Sequence, residues 1–178
     1  MVMSMKNRRR EPINCGIDVS IRGTGLGLTQ GKKALAYYKF KQTTKGYSVY
    51  KDGELMKKIF LGKGEMKSTP HRGVAIKKEI QEILKEFKVD RCIIEGNSMN
   101  SKNSMVYEIG EFVGIIKAAV VESGLDPLVI PPLTLKKEAT GCAGASKENM
   151  VYQLKRIFKV DVNGDDDCAD ALLLAFLF

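Results

Sequence analysis

The 178-residue chain contains no Cys-x-x-Cys pair. Its four cysteines, Cys15, Cys92, Cys142 and Cys168, stand singly, which argues against a zinc site. Their neighbours are mostly small or apolar, so they are expected to be reduced and mostly packed, as in a cytoplasmic protein. No apolar run approaches the length of a membrane span, and no membrane partner is expected. Met1 to Glu11 lacks the apolar stretch of a secretory signal. Internal repeats and low-complexity tracts are absent. Nor is there a nucleotide cradle. Gly23, Gly25 and Gly27 miss the dinucleotide spacing because Leu28 stands at the third glycine position. Gly31 and Lys32 are followed by Lys33, where a P-loop needs Ser or Thr.

What is present is a foldable, basic chain. Apolar residues make up 44%, which argues against disorder, and the length suits one domain with a real core. The net charge is +8, which favours an anionic partner, most commonly nucleic acid, although lysines also serve plain solubility. Lys6, Asn7, Arg8, Arg9 and Arg10 mark residues 1–12 as a basic flexible arm, solvated or touching phosphate. Residues 13–178 then form the folded domain. Between Gly31 and Lys67 there are ten lysines and three acidic residues, so a basic hairpin region is expected at about 37–66.

Apolar alternation predicts strands over Ile13–Ser20, beyond the glycine-rich stretch, and over Ala34–Phe40. The glycines predict close approach of other backbone. Asp52 and Gly53 predict a hairpin turn within Tyr47–Leu61. Thr69 is read as an N-cap, with Pro70 opening a helix whose apolar side is Ile76, Ile80, Ile83, Leu84 and Phe87. Arg91–Glu95 reads as a short buried strand, Asn103–Ser123 as a long helix and Pro127–Ile130 as a strand. On the long helix, Gly110 and Gly114 allow close approach of another helix or chain, or are simply tolerated. Ile109, Phe112, Val113 and Ile116 suit either the core or a dimer contact. Short helices follow at Thr134–Ala139 and after Ser146. The last helix, Asp167–Phe178, is apolar nearly all round and should be buried. The order of elements points to an α/β fold, a mixed sheet with helices on its faces.

Four carboxylates stand out. Asp18 and Glu95 each sit in an apolar strand, where an uncompensated charge is costly. Asp167 and Asp170 are three apart and so share a helix face. Together the four suit hard divalent cations, which take oxygen ligands. Each has a plainer alternative. Asp167 fits a helix N-cap, as do Asp165 and Asp166. Glu95 fits an ion pair with Lys102, and Asp18 a cap on the turn at Arg22 and Gly23. Asp170, flanked by Ala169, Ala171 and Leu172, is the hardest to explain so.

Gly16, Ile17 and Asp18, with Gly23, Thr24 and Gly25, resemble the first strand and turn of the RuvC family of Holliday-junction resolvases. Ile93, Ile94 and Glu95 resemble its second acidic strand. Leu135 to Gly141, followed by Ala145, Ser146 and Lys147, is similar to its basic K-x₄-G…K segment. Asp167 to Leu172 resembles its D-x-A-D-A-L helix. The resemblance implies an RNase H-like mixed five-stranded sheet flanked by helices, a homodimer, and Mg²⁺ dependence with Mn²⁺ able to substitute. It implies Asp18, Glu95, Asp167 and Asp170 as metal ligands, with Lys136 and Lys147 near the scissile phosphate or junction backbone. Lys147 also reads as an ordinary first-turn helix residue, though a cation there is not electrostatically favoured.

The expected activity is structure-selective cutting of Holliday junctions and related branched DNA by two-metal hydrolysis, leaving 5′-phosphate nicks. Two other readings are a less selective nuclease on flaps, forks or hybrids, and a non-catalytic junction-binding protein. A further one, an actin-like ATPase, usually needs two related subdomains. Bacterial members often carry an aromatic wedge after the second acid; here Gly96 to Asn100 contains none, and Met99 is the candidate substitute. That departure and the long basic region suggest a phage or other viral branch, working in host cytoplasm.

Overall fold

In the computed structural model, residues 10–96 and 103–178 are described, with the side chains of 103–105 excepted. Five strands come first: β1 (Ile13–Asp18), β2 (Gly23–Gln30), β3 (Lys33–Thr43), β4 (Gly46–Lys51) and β5 (Glu54–Phe60). A 3-10 turn at Glu65–Lys67 leads into α1 (Thr69–Glu86). Then come β6 (Arg91–Glu95), α2 (Asn103–Glu122) and β7 (Pro127–Ile130). Three helices close the described chain: α3 (Pro132–Thr140), α4 (Lys147–Phe158) and α5 (Asp166–Leu177).

The strands form one sheet in the order β5-β4-β3-β2-β1-β6-β7. It has seven strands where five were expected. The extra width is the basic hairpin: β4 and β5 continue the antiparallel ladder beyond β3 instead of leaving the sheet. Asp52 and Gly53 turn that hairpin with both φ positive, at 51° and 87°, as a primed two-residue turn requires. On the other side, β1, β6 and β7 run parallel, so their C-terminal ends share one edge of the molecule.

Strand alternation sorts the side chains between two cores. Cys15, Ile17, Leu26, Leu28, Tyr38, Phe40, Cys92 and Ile94 pack with α1 and α2 residues such as Ile76, Ile80, Phe112 and Ile116. Phe112 and Ile116 are therefore core residues, and Val113 is buried as well. The opposite face carries Ile93 and packs with Leu135, Met150, Leu154 and the apolar side of α5. Along β1 and β2 this second face is almost bare. Gly16, Gly25 and Gly27 lie there, and α5 rests directly on them. A Cβ at Gly16 or Gly25 would overlap the carbonyl oxygen of Ala171 or Asp167, and at Gly27 it would come within 2.6 Å of the Leu172 nitrogen. The glycine-rich stretch thus admits a helix backbone onto the sheet.

Helix starts differ in detail from the sequence reading. Ser68, not Thr69, is the N-cap of α1, with an extended backbone at φ −103° and ψ 118°. Thr69 is already helical, and its hydroxyl accepts from the Arg72 guanidinium at 2.8 Å. Ser146 caps α4 as expected, accepting from the Asn149 N–H at 3.3 Å. Asp165 caps α5, accepting from the Cys168 N–H at 3.0 Å. Three of the cysteines are buried, and Cys142 is exposed. Arg10 pairs with Asp90 at 3.2 Å, and the Glu11 carbonyl accepts from Gln30 at 2.9 Å. Lys6 to Arg9, Met99 and Lys102 lie outside the described residues. Among the described residues, no helix is long and apolar enough to cross a membrane.

Candidate active site

The same alternation that sends Ile17 and Ile94 into one core sends Asp18 and Glu95 to the other face. Ile17 and Ile94 are paired across the parallel ladder, so the two acids leave neighbouring strand ends side by side. Above them α5 crosses on its glycine bed and brings Asp170 down. Carboxylate oxygens of Asp18, Glu95 and Asp170 all lie within 4.8 Å of one another. Among the described residues, the buried Asp170 Oδ1 has no hydrogen-bond partner. Such an orphaned acceptor is costly unless something binds it.

Electrostatics show the strain of this arrangement. Burial, followed by the charge of Glu95, holds the Asp18 carboxyl well above the ordinary carboxylate range. Burial also raises Glu95, opposed by its hydrogen bond with Asp18 and by the nearby Lys136 and Lys147. Asp170 is pushed up to about 7, chiefly by burial and then by Glu95. Three mutually repelling, partly desolvated carboxylates with a free oxygen among them fit a hard divalent cation.

The three acids line a cleft of about 300 Å³. Val19, Val106, Ile109 and Pro132 give it an apolar wall, while Lys136 and Lys147 supply positive charge. Asp167 borders the same cleft but is not one of the three grouped acids. Its Oδ2 accepts from Lys39 Nζ, and Lys39 also donates to Asp165 at 2.9 Å. Since Asp165 provides the cap of α5, Asp167 is released from that role. The cap reading of Asp18 also finds no support in the described hydrogen bonds. Thr24 closes the turn instead, its hydroxyl donating to the Ser20 carbonyl at 2.7 Å.

Two residues that border the site are not assigned to it from sequence, where Asp166 reads only as a candidate helix cap. Asp166 lines the cleft and accepts from Lys147 Nζ, which holds it below the ordinary range despite its partial burial. Lys39 comes from β3, far away in sequence. Its one sequence signal is alternation: it falls between Tyr38 and Phe40, both buried in the α1–α2 core, and so faces α5.

A mixed sheet whose adjoining strand ends and covering helix present clustered carboxylates defines the RNase H-like class. The family model described as "Crossover junction endodeoxyribonuclease RuvC" matches residues 41–178, more than half of the chain. The chain belongs to the RuvC family. A crossover junction endodeoxyribonuclease RuvC from Rickettsia prowazekii is 29% identical over 98 residues, covering 54% of this chain and 62% of that protein. The one from Bordetella parapertussis is 25% identical over 165 residues, covering 90% of this chain and 79% of that protein. The match thus spans about three-fifths of the Rickettsia relative's length and a larger share of the Bordetella one. The Thermus thermophilus RuvC structure in complex with Holliday junction substrate superposes with a TM-score of 0.71 at 21% identity. It covers 93% of this chain and 91% of that one, and supports the shared fold.

Proposed function

We propose that the chain is a structure-selective endonuclease that cuts Holliday junctions and related branched DNA by metal-assisted phosphodiester hydrolysis. The observation that carries this reading is the convergence of Asp18, Glu95 and Asp170 within 4.8 Å, with one Asp170 oxygen unpartnered among the described residues. Membership of the RuvC family supports the substrate class. Asp18, Glu95 and Asp170 are the first ligands for Mg²⁺, with Mn²⁺ able to substitute, and Asp167 is the fourth acid available in the cleft. A bound cation of this kind supplies Lewis acidity toward a phosphoryl oxygen and lowers the pKa of water.

The chain's own residues do the remaining work. Lys136 and Lys147 neutralise the phosphodiester as it enters the cleft and hold it beside the acids. Val19, Val106, Ile109 and Pro132 add apolar surface to the lining of the cleft beside these charges. The unpartnered Asp170 oxygen and its neighbours are fixed on strand ends and on a helix seated against glycine, so they need little rearrangement to receive a cation. Nicks with 5′ phosphates are the expected products.

A homodimer in the cytoplasm is part of the same proposal, since two like clefts are needed to nick two strands. The exposed side of α2, where among the described residues nothing lies within 4 Å of a Cβ placed on Gly110 or Gly114, supports a contact there. The basic region at about 37–66 belongs to this one nuclease domain, widening its sheet. The test compares cleavage rates on a four-way junction, a flap and an RNA–DNA hybrid with Mg²⁺ present. Fastest cleavage of the four-way junction is expected; a preference for the hybrid would replace this reading with that of a general RNase H-like nuclease.

A further inference from the structure

Lys39 stands between two clefts. Its ammonium reaches Asp167 at the border of the acidic cleft, while its stem lines a second cleft with Tyr37, Lys41, Tyr50 and Asn163. The side chain is only 15% exposed, so this is no loose surface pair. Asp165 fixes the ammonium from one side at 2.9 Å and is itself fixed as the cap of α5. Gly23 makes room for the pair. A Cβ there would lie 2.9 Å from Asp167 Oδ2 and 3.0 Å from the Lys39 Cε. Sheet, helix cap and glycine therefore combine to place one fixed positive charge on the fourth acid of the site.

Resting on the metal-nuclease reading above, we infer that Lys39 is a positioning residue that reserves Asp167. Its ammonium competes with a divalent cation for the Asp167 carboxylate. The cleft consequently holds one cation firmly on Asp18, Glu95 and Asp170, and a second one weakly. A neighbouring charge commonly moves an ionic equilibrium by about one to three powers of ten, so the difference is measurable.

The test counts bound Mn²⁺ per full-length chain by electron paramagnetic resonance, without DNA. The wild type should bind one ion tightly and a second weakly. Lys39→Met should tighten the second ion by about tenfold and leave the first nearly unchanged. Lys39→Gln, which keeps a donor for Asp165, should behave likewise and guards against misfolding of the first variant. Lys39→Arg should resemble the wild type. Equal second-ion affinity in wild type, Lys39→Met and Lys39→Gln would overturn the assignment while leaving the nuclease reading intact. If the wild type bound no Mn²⁺ and Asp170→Asn behaved the same, the metal-nuclease reading would fall, and the role of Lys39 with it.

Discussion

Gly25 lies directly beneath Asp167: a Cβ at position 25 would overlap the Asp167 carbonyl oxygen. The acidic first turn of α5 is therefore seated on a strand that has no side chain to offer. Alanine in a strand would ordinarily reduce unfolded-chain entropy and stabilise by about 0.4–1 kcal/mol. Here overpacking should reverse the sign. Gly25→Ala is expected to lower stability by about 1–3 kcal/mol, read as a fall in urea midpoint. An unchanged or higher midpoint would contradict the close approach of helix and sheet.

The raised carboxyls give a second prediction, for the metal-free chain. Burial, then Glu95, pushes Asp170 up to about 7 from an ordinary value of 3.8, and Asp18 is shifted in the same direction. A carboxyl raised by folding binds its proton more tightly in the native state. Its contribution to stability is thus complete below the ordinary value and is lost as pH rises through about 7. In EDTA, the melting temperature should fall between about pH 4 and pH 7, and Asp170→Asn should flatten that fall. Mg²⁺ should restore stability at the higher pH. A melting temperature that rises with pH over this window would show that the acids are not held as described.

Lys136 and Lys147 line the cleft, and Lys147 also holds Asp166. Replacing either by alanine should weaken junction binding and reduce the salt dependence by roughly one phosphate contact. Anisotropy titrations at several salt concentrations measure this. A slope equal to that of the wild type would remove the lysine from the DNA path.

Much of this site was legible because it is built from local patterns. A mostly apolar strand that ends in a carboxylate marks Asp18 and Glu95. A helix that beyond its acidic first turn is apolar except for one aspartate marks Asp170. The glycines of β2 signalled a backbone contact, and α5 provides it. Less visible were features decided by geometry between distant segments. Asp165, Asp166 and Asp167 are chemically alike, and only the backbone conformation selects Asp165 as the cap. Lys39 pairs with residues more than a hundred positions away, so no local rule links them. Ser68 and Thr69 are both acceptable caps by type, with serine the better, and one residue of helix registry separates them. The sheet proved wider than expected because β4 and β5 extend it through ordinary ladder pairing, which composition alone does not reveal.

The most direct measurement is cleavage of a four-way DNA junction with Mg²⁺ by the wild type and by Asp18→Asn, with binding followed in parallel. Asp18 stands among the grouped carboxylates, while Lys136 and Lys147 on other elements contribute the positive charge of the cleft. The wild type should cut. Asp18→Asn should lose about two orders of magnitude or more of rate, as removal of a group acting on the reacting charge typically does, while still binding the junction. Equal cleavage by the two proteins would contradict the assignment of this carboxylate cluster as the active site.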